Sequence, residues 1–233
     1  MTVFGAFHLL GHETTLPPDT ACRRFDAWFT IPAPVPLLPH TEPRIAMRTV
    51  IVTAFVSLDG VMEGPGGEVG YRNAGWTFKD IEFDPAAYEI KGREQDEATA
   101  MLLGRTSYEA FAPVWPTMDD FAGYNSMPRY VVSTTLERSD DRWPATILRS
   151  IDDVAELRET EGGPISVHGS ATLGRSLADA GLVDRYHLLV FPMLLGAGKR
   201  LFSSSDKATT HLDLVEHEVY DNGIQKQVFD VRR

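Results

Sequence analysis

Residues 165–202 read ISVHGSATLGRSLADAGLVDRYHLLVFPMLLGAGKRLF. Ile165 to His168 is a short apolar run that predicts a strand, and Ser170 to Ala180 predicts a helix closed by Gly181. Arg185 to Pro192 is a longer apolar strand. The same alternation runs upstream. Thr49 to Ser57 is β-branched and apolar, as a buried strand requires. Pro85 opens a helix with Asp84 as its N-cap, reaching about Ala98. The strand AMLLG ends at Gly104, and a helix begins near Arg105. Tyr130 to Thr134 and Thr146 to Leu148 are strands, and Asp152 to Glu161 is helical. Downstream, His211 to Val231 reads as a hairpin turning at Asn222-Gly223. Alternation ending in a hairpin predicts an α/β fold with a mixed sheet, mostly parallel and antiparallel at one edge.

The first 46 residues differ. Pro17, Pro18, Pro32, Pro34, Pro36, Pro39 and Pro43 fall there, with no helical or strand period. Residues 1–46 are expected to be a disordered extension or a misassigned start at Met1, with Met47 opening the domain of residues 47–233. No positively charged segment precedes the apolar stretch near the start, so no secretory signal is read. Lys and Arg total 22 against 33 Asp and Glu, a net charge of -11, which argues against nucleic-acid or anionic-membrane partners. No apolar run approaches the roughly 18 residues of a membrane span. The single cysteine, Cys22, excludes an intrachain disulfide and a multi-cysteine metal site, and a cytoplasmic setting is expected.

Familiar signatures fail on inspection. MLLGAGKR has Met193 where a P-loop needs its first glycine and Arg200 where it needs Ser or Thr. Gly64-Pro65-Gly66 begins a GxGxxG that breaks at Val69. His211 and His217 share one alternation phase, but two ligands do not complete a metal site, and no metal is expected.

Three glycine-bounded or hydroxyl-bearing strand ends remain. Gly104, Arg105 and Thr106 open a helix where an anion is favoured; Arg105 either grips a phosphate or caps a turn. Ser133 and Thr134 either bond a phosphate or ribose or cap a turn. Gly169, Ser170, Ala171, Thr172 and Leu173 form a pyrophosphate cradle, with Ser170 able to cap the helix. Three such ends favour a phosphorylated nucleotide, because ligands in open α/β sheets bind beyond the carboxyl ends of strands. On the substrate side, Asp59 stands where the first strand meets the glycine-rich loop of residues 60–75. It either orients a hydroxyl or amine, transfers a proton if partial burial raises its pKa, or is an Asp-Gly turn residue. Trp76, Phe111 and Trp115 either wall a pocket for a planar heterocycle or pack the core.

The order SLDG, LLGRTSYEAFAPVWP, PRYVVSTTL and the block from Val167 to Phe202 resembles the dihydrofolate reductase-like superfamily. More closely it resembles stand-alone relatives of the reductase (C-terminal) domain of the riboflavin-biosynthesis deaminase–reductase, the RibD type. The resemblance covers about residues 47–233. It implies a three-layer fold and a reductase taking hydride from NADPH. It places Gly104, Arg105, Thr106, Ser133 and Thr134 at the adenosine phosphates and Gly169 to Leu173 at the pyrophosphate. It places Asp59 near the substrate, which in the riboflavin pathway is a phosphorylated aminopyrimidine. Many pathway reductases carry Glu-Gly-Gly where this chain has Val167-His168-Gly169. A homodimer is also implied. The rival expectations are a non-catalytic nucleotide-binding or interaction protein on the same fold, and a dihydrofolate reductase. The latter ranks lower for want of a clear acidic residue in an obvious folate-binding helix.

Overall fold

A computed structural model describes residues 47–202 and 208–233. The expectations for residues 1–46, Cys22 included, lie outside the described residues.

Among the described residues eight strands form one sheet: β1 (Val50–Ser57), β2 (Ala100–Gly104), β3 (Arg129–Val132), β4 (Thr146–Leu148), β5 (Ile165–His168), β6 (Arg185–Phe191), β7 (Leu212–Val219) and β8 (Gln225–Val231). Their order is β4-β3-β2-β5-β1-β6-β8-β7. Neighbours from β4 to β6 are parallel, and β8 pairs antiparallel with both β6 and β7. The hairpin joining β7 to β8 turns at Asn222-Gly223, with Gly223 at φ 82°. Among the described residues five α-helices flank the sheet: α1 (Pro85–Glu97), α2 (Arg105–Phe111), α3 (Ala122–Ser126), α4 (Ile151–Arg158) and α5 (Ala171–Asp179).

Strand alternation assigns the helices to faces. Val50, Val52, Ala54 and Val56 of β1 pack with Val154 and Leu157 of α4 and with Leu173 and Leu177 of α5. On the opposite face lie two separate apolar groups. One joins Met101, Leu103 and Val131 to Tyr108, Tyr124 and Trp143; the other joins Leu189, Phe191 and Val228 to Ala87 and Ile90 of α1. The result is the expected three-layer dihydrofolate reductase-like α/β architecture. Between the two apolar groups, Thr53 of β1 is in register with His168 of β5 and His187 of β6. Cα partners on neighbouring parallel strands point to the same face, so a polar row divides that side of the core.

Local chemistry explains most element ends. Asp84 accepts a hydrogen bond from the Ala86 N–H at 3.0 Å, with Pro85 at the first helical position of α1. Ser150 and Asp153 form a reciprocal capping box on α4. Gly181, at φ 68°, follows α5. Three expectations need correction. The strand expected to reach Thr134 stops at Val132, because the Ser133 hydroxyl accepts the N–H groups of Thr135 and Leu136 at 3.2 and 2.9 Å and turns the chain. The helix expected to reach Glu161 ends at Arg158, where the Thr160 hydroxyl folds back onto the Leu157 carbonyl at 2.7 Å. A register shift between Leu214 and Glu216 interrupts the alternation between His211 and His217, so equal spacing does not give them one face.

Candidate active site

A cavity of about 1110 Å³ opens beyond the carboxyl ends of β2, β3 and β5 and along the outer half of β1. The β2–α2 and β5–α5 turns form one of its walls and are tied to each other. The Gly104 N–H donates to the Ser170 hydroxyl at 2.9 Å, and the Ser170 N–H donates to the Ser107 hydroxyl at 3.0 Å. The Ser170 hydroxyl in turn donates to the His168 carbonyl at 3.0 Å. Ser170 is the one non-glycine residue with positive φ, 62°, among the described residues, a conformation that costs of order 1 kcal/mol or more. Gly169 precedes it at φ 59°, and a Cβ there would stand 3.4 Å from the Ser107 hydroxyl and 3.5 Å from the Phe111 ring. Ser170 occupies the N-cap position of α5, yet its side chain makes no capping bond; the sequence-based capping role is corrected. The hydroxyl is spent on joining the two turns, and the first turn of α5 stays uncapped against the cavity.

Gly104, Arg105 and Thr106 line the cavity, as do Gly169, Ser170, Ala171, Thr172 and Leu173. Arg105 is half exposed, with its guanidinium 3.7 Å from Glu109. Thr134 lines the cavity, whereas Ser133 does not: its hydroxyl is committed to the turn after β3. Arg149 lies on the same side, and its guanidinium is fixed by the carbonyls of Ser133 and Leu136 at 2.9 and 2.7 Å. Sequence reasoning missed it. The available signal was a basic residue at a strand end immediately before a Ser-x-x-Asp helix start.

Phe111 and Trp115 line the cavity as a stacked pair, ring centroids 4.3 Å apart, and Trp115 stacks on Phe121 at 4.5 Å. Trp76 is not among the lining residues. It packs edge-on against Phe191 and donates from its indole to the Glu63 carbonyl at 2.8 Å, so its expected place in the pocket wall is corrected to a place in the core.

Asp59 is not among the lining residues either. Its carboxylate accepts from the Ser57 hydroxyl at 2.6 Å and from the N–H groups of Leu195 and Gly196 at 3.1 and 2.8 Å. The Ser57 hydrogen bond, opposed by desolvation and aided by the backbone donors, lowers its pKa to about 2. The condition attached to proton transfer, a raised pKa, is therefore not met. This Asp holds the 193–200 segment against the end of β1.

The cavity floor was not legible in the sequence. Glu94 of α1 is 4% exposed. The Thr53 hydroxyl donates to its Oε1 at 2.7 Å, and the Tyr124 hydroxyl donates to its Oε2 at 3.1 Å. His187 Nδ1 lies 3.0 Å from Oε1, and Lys91 Nζ lies 3.3 and 3.2 Å from the two oxygens. Desolvation works to raise the Glu94 pKa, but Lys91 and His187 outweigh it and hold the carboxyl well below its ordinary range. Burial, reinforced by Glu94, pushes the Tyr124 hydroxyl up. Thr53, Lys91 and His168 reach the cavity from this cluster. Desolvation and then Lys91 push His168 down to about 3, so the ring is neutral at physiological pH, and its buried Nδ1 has no hydrogen-bond partner among the described residues. Three aromatic rings surround it edge-on: Phe111, Trp115 and Tyr124.

The sheet order, the three layers and a cleft across the carboxyl ends of the strands define a dihydrofolate reductase-like α/β protein. Two solved structures share that fold. A protein assigned to riboflavin biosynthesis from Shewanella sp. PV-4 aligns at 18% identity and TM-score 0.64, over 79% of this chain and 99% of that one. Dihydrofolate reductase from Enterococcus faecalis, complexed with NADP(H) and RAB-propyl, aligns at 11% identity and TM-score 0.50, over 79% and 97%. Within that fold the chain belongs to the RibD C-terminal domain family, whose pattern matches residues 48–226. The uncharacterized protein YyaP of Bacillus subtilis (strain 168) is 26% identical over 192 residues, 79% of this chain and 96% of that protein. Among the described residues no helix is long and apolar enough to cross a membrane.

Proposed function

We propose that this protein is an NADPH-dependent reductase of a small heterocyclic substrate, pyrimidine- or pterin-like, with an imine or carbonyl carbon as hydride acceptor. The observation that carries the reading is the uncapped first turn of α5, which lines the cavity beside the Gly169 turn and within reach of the β2–α2 turn. Helix N–H groups without a capping side chain, a glycine that keeps the backbone open, and nearby guanidinium groups suit a pyrophosphate and an additional phosphate. The donor set therefore fits the cofactor: Gly169 to Leu173 would hold its pyrophosphate, and Arg105, Thr106 and Thr134 its adenosine side. NADPH, when bound, supplies the hydride.

The chain's own residues bind, orient and exclude water. The Phe111–Trp115 stack offers a flat apolar wall. The 62–71 segment and Lys199 close the mouth, with the Glu63 carboxylate accepting the Lys199 N–H at 2.8 Å. Asp59 acts at a distance, by fixing the 193–200 segment. Glu94 supplies the buried acid in a helix that the sequence did not reveal, but all its hydrogen bonds are internal. A cytoplasmic homodimer belongs to the same proposal. Leu214, Val215 and Val219 are exposed on β7, the outermost strand, and offer an apolar edge to a second copy. Sedimentation should give twice the chain mass; a monomer at tens of micromolar would remove the dimer alone.

Turnover is tested by following NADPH oxidation at the nicotinamide absorbance across a panel of pyrimidine and pterin substrates. Oxidation that requires both protein and one panel member supports the reading. Tight NADPH binding without turnover on any member would favour a nucleotide-binding protein that lacks the reaction.

A further inference from the structure

The polar row across β5, β1 and β6 lies beneath the cavity, and it is costly to build. A buried carboxylate with its partners gives little net stability over an apolar core of the same shape. What the row does is deliver one ammonium to the cavity floor. Lys91 Nζ donates to the Thr53 hydroxyl and to Glu94, and it sits 5.0 Å from the centre of the Phe55 ring. Thr53 is itself committed, because it passes its proton to Glu94. Glu94 is saturated by Thr53, Lys91, Tyr124 and His187. An ammonium has three N–H donors and no acceptor. Its protein partners are Thr53 and both oxygens of Glu94, the latter at 3.3 and 3.2 Å, a long pair that one N–H can share, and the side chain is 14% exposed where it lines the cavity. Lys199 and Arg105, cations nearer the mouth, are paired to half-exposed or exposed acids. Lys91 is held instead by an acid sealed beneath it.

We propose that Lys91 is the specificity-determining cation of the substrate pole. It donates a hydrogen bond to a carbonyl or enolate oxygen on the edge of a planar heteroaromatic substrate, and Glu94 is the positioning residue that aims it. The Phe111, Trp115 and Phe121 rings on the same cavity supply aromatic surface that suits a heteroaromatic ring. The oxygen follows from the donor-only chemistry of the ammonium. Glu94 nearly cancels the charge of Lys91, so the pair favours a neutral or singly charged acceptor over a phosphate. The phosphate-binding features lie instead at the α5 and β2–α2 turns. The assignment rests on the reductase reading only in calling this pole the substrate's.

Lumazine, a planar fluorescent pteridinedione, is the probe, titrated into the full-length protein by fluorescence. Nicotinamide fluorescence reports NADPH binding in parallel. Wild type should bind lumazine, and K91M should weaken it by about tenfold or more, as loss of a hydrogen bond to a charged group implies. K91M leaves Glu94 unpaired, so K91M/E94Q, which removes both buried charges, is measured as well and should show the same loss. Glu94→Gln alone should weaken lumazine while leaving NADPH affinity within about twofold, a selectivity that general loosening of the fold would not produce. Equal lumazine affinity in wild type and K91M/E94Q would overturn the proposal, as would a wild type that does not bind lumazine. A wild type that binds lumazine through Lys91 but neither NADPH nor NADH would sink the reductase reading and leave this assignment standing.

Discussion

The two ends of the cavity are built by different means. At the turn end, the backbone does the work: Gly169 and Ser170 adopt positive φ, the first turn of α5 is uncapped, and Ser107 and Ser170 lock neighbouring turns. At the floor, side chains from β1, α1, α3 and β6 converge on one buried carboxylate, Glu94. The turn end is made of backbone and short hydroxyls and faces the open cavity, so its changes should alter binding more than stability. The floor is a buried side-chain network, so its changes should reach the fold itself.

The sharpest contrast comes from Glu94→Ala. It strips the partner from Lys91, Tyr124 and His187 at once, and breaking a buried charged network costs about 3–5 kcal/mol. Urea denaturation should show that loss. A loss under about 1 kcal/mol would mean that the network is solvated and the floor is not sealed. Next in size is Gly169→Val at the other end, where the added side chain meets Ser107 and Phe111 in a backbone conformation that disfavours it. NADPH affinity should fall about a hundredfold, equivalent to about 2.7 kcal/mol, with the protein still folded by circular dichroism. Unchanged affinity would show that the cradle lies elsewhere.

Arg105→Ala is smaller and more selective. Its guanidinium is half exposed, and its partner Glu109 is 3.7 Å away. NADPH binding should weaken about tenfold, the worth of one charge-assisted contact, and NADH binding much less. Equal weakening of both would remove its phosphate role. Asp59 gives the smallest effect, and it belongs to neither end. Its pKa is lowered from 3.8 to about 2 by Ser57 and the backbone donors, so its contribution to stability is complete above about pH 4 and is lost as pH falls through about 2. Asp59→Asn should cost about 1 kcal/mol at pH 7, as expected for hydrogen bonds to a charged group near solvent. Thermal midpoints of the two proteins should converge on acidification over that window. A constant gap would assign the cost to something other than the carboxylate charge.

How far each region can be read from the sequence follows from the same difference. The strand–helix alternation, the Asp84 and Ser150 caps and the Asn222-Gly223 turn are local, and local chemistry announces them. The glycine turns were legible for the same reason, though the sequence could not say that Ser133 and Ser170 spend their hydroxyls within the backbone. Glu94 gave one faint signal: it lies at helical spacing from Ala87 and Ile90, the buried positions of α1. Nothing distinguished it as an acid with a purpose, since its partners Thr53 and His187 stand 41 and 93 residues away along the chain. Asp59 drew attention as an acid in a glycine-rich turn, and it is a turn residue. Trp76 and Trp115 are alike in the sequence; the fold buries both, and of the two Trp115 alone also borders the cavity.

If the turn end is a cofactor site, it binds a phosphorylated nicotinamide nucleotide. Titration of the full-length protein with NADPH and with NADH, followed by nicotinamide fluorescence, tests it most directly. NADPH should bind saturably, at least about tenfold tighter than NADH. No binding of either nucleotide by a protein shown to be folded would contradict it.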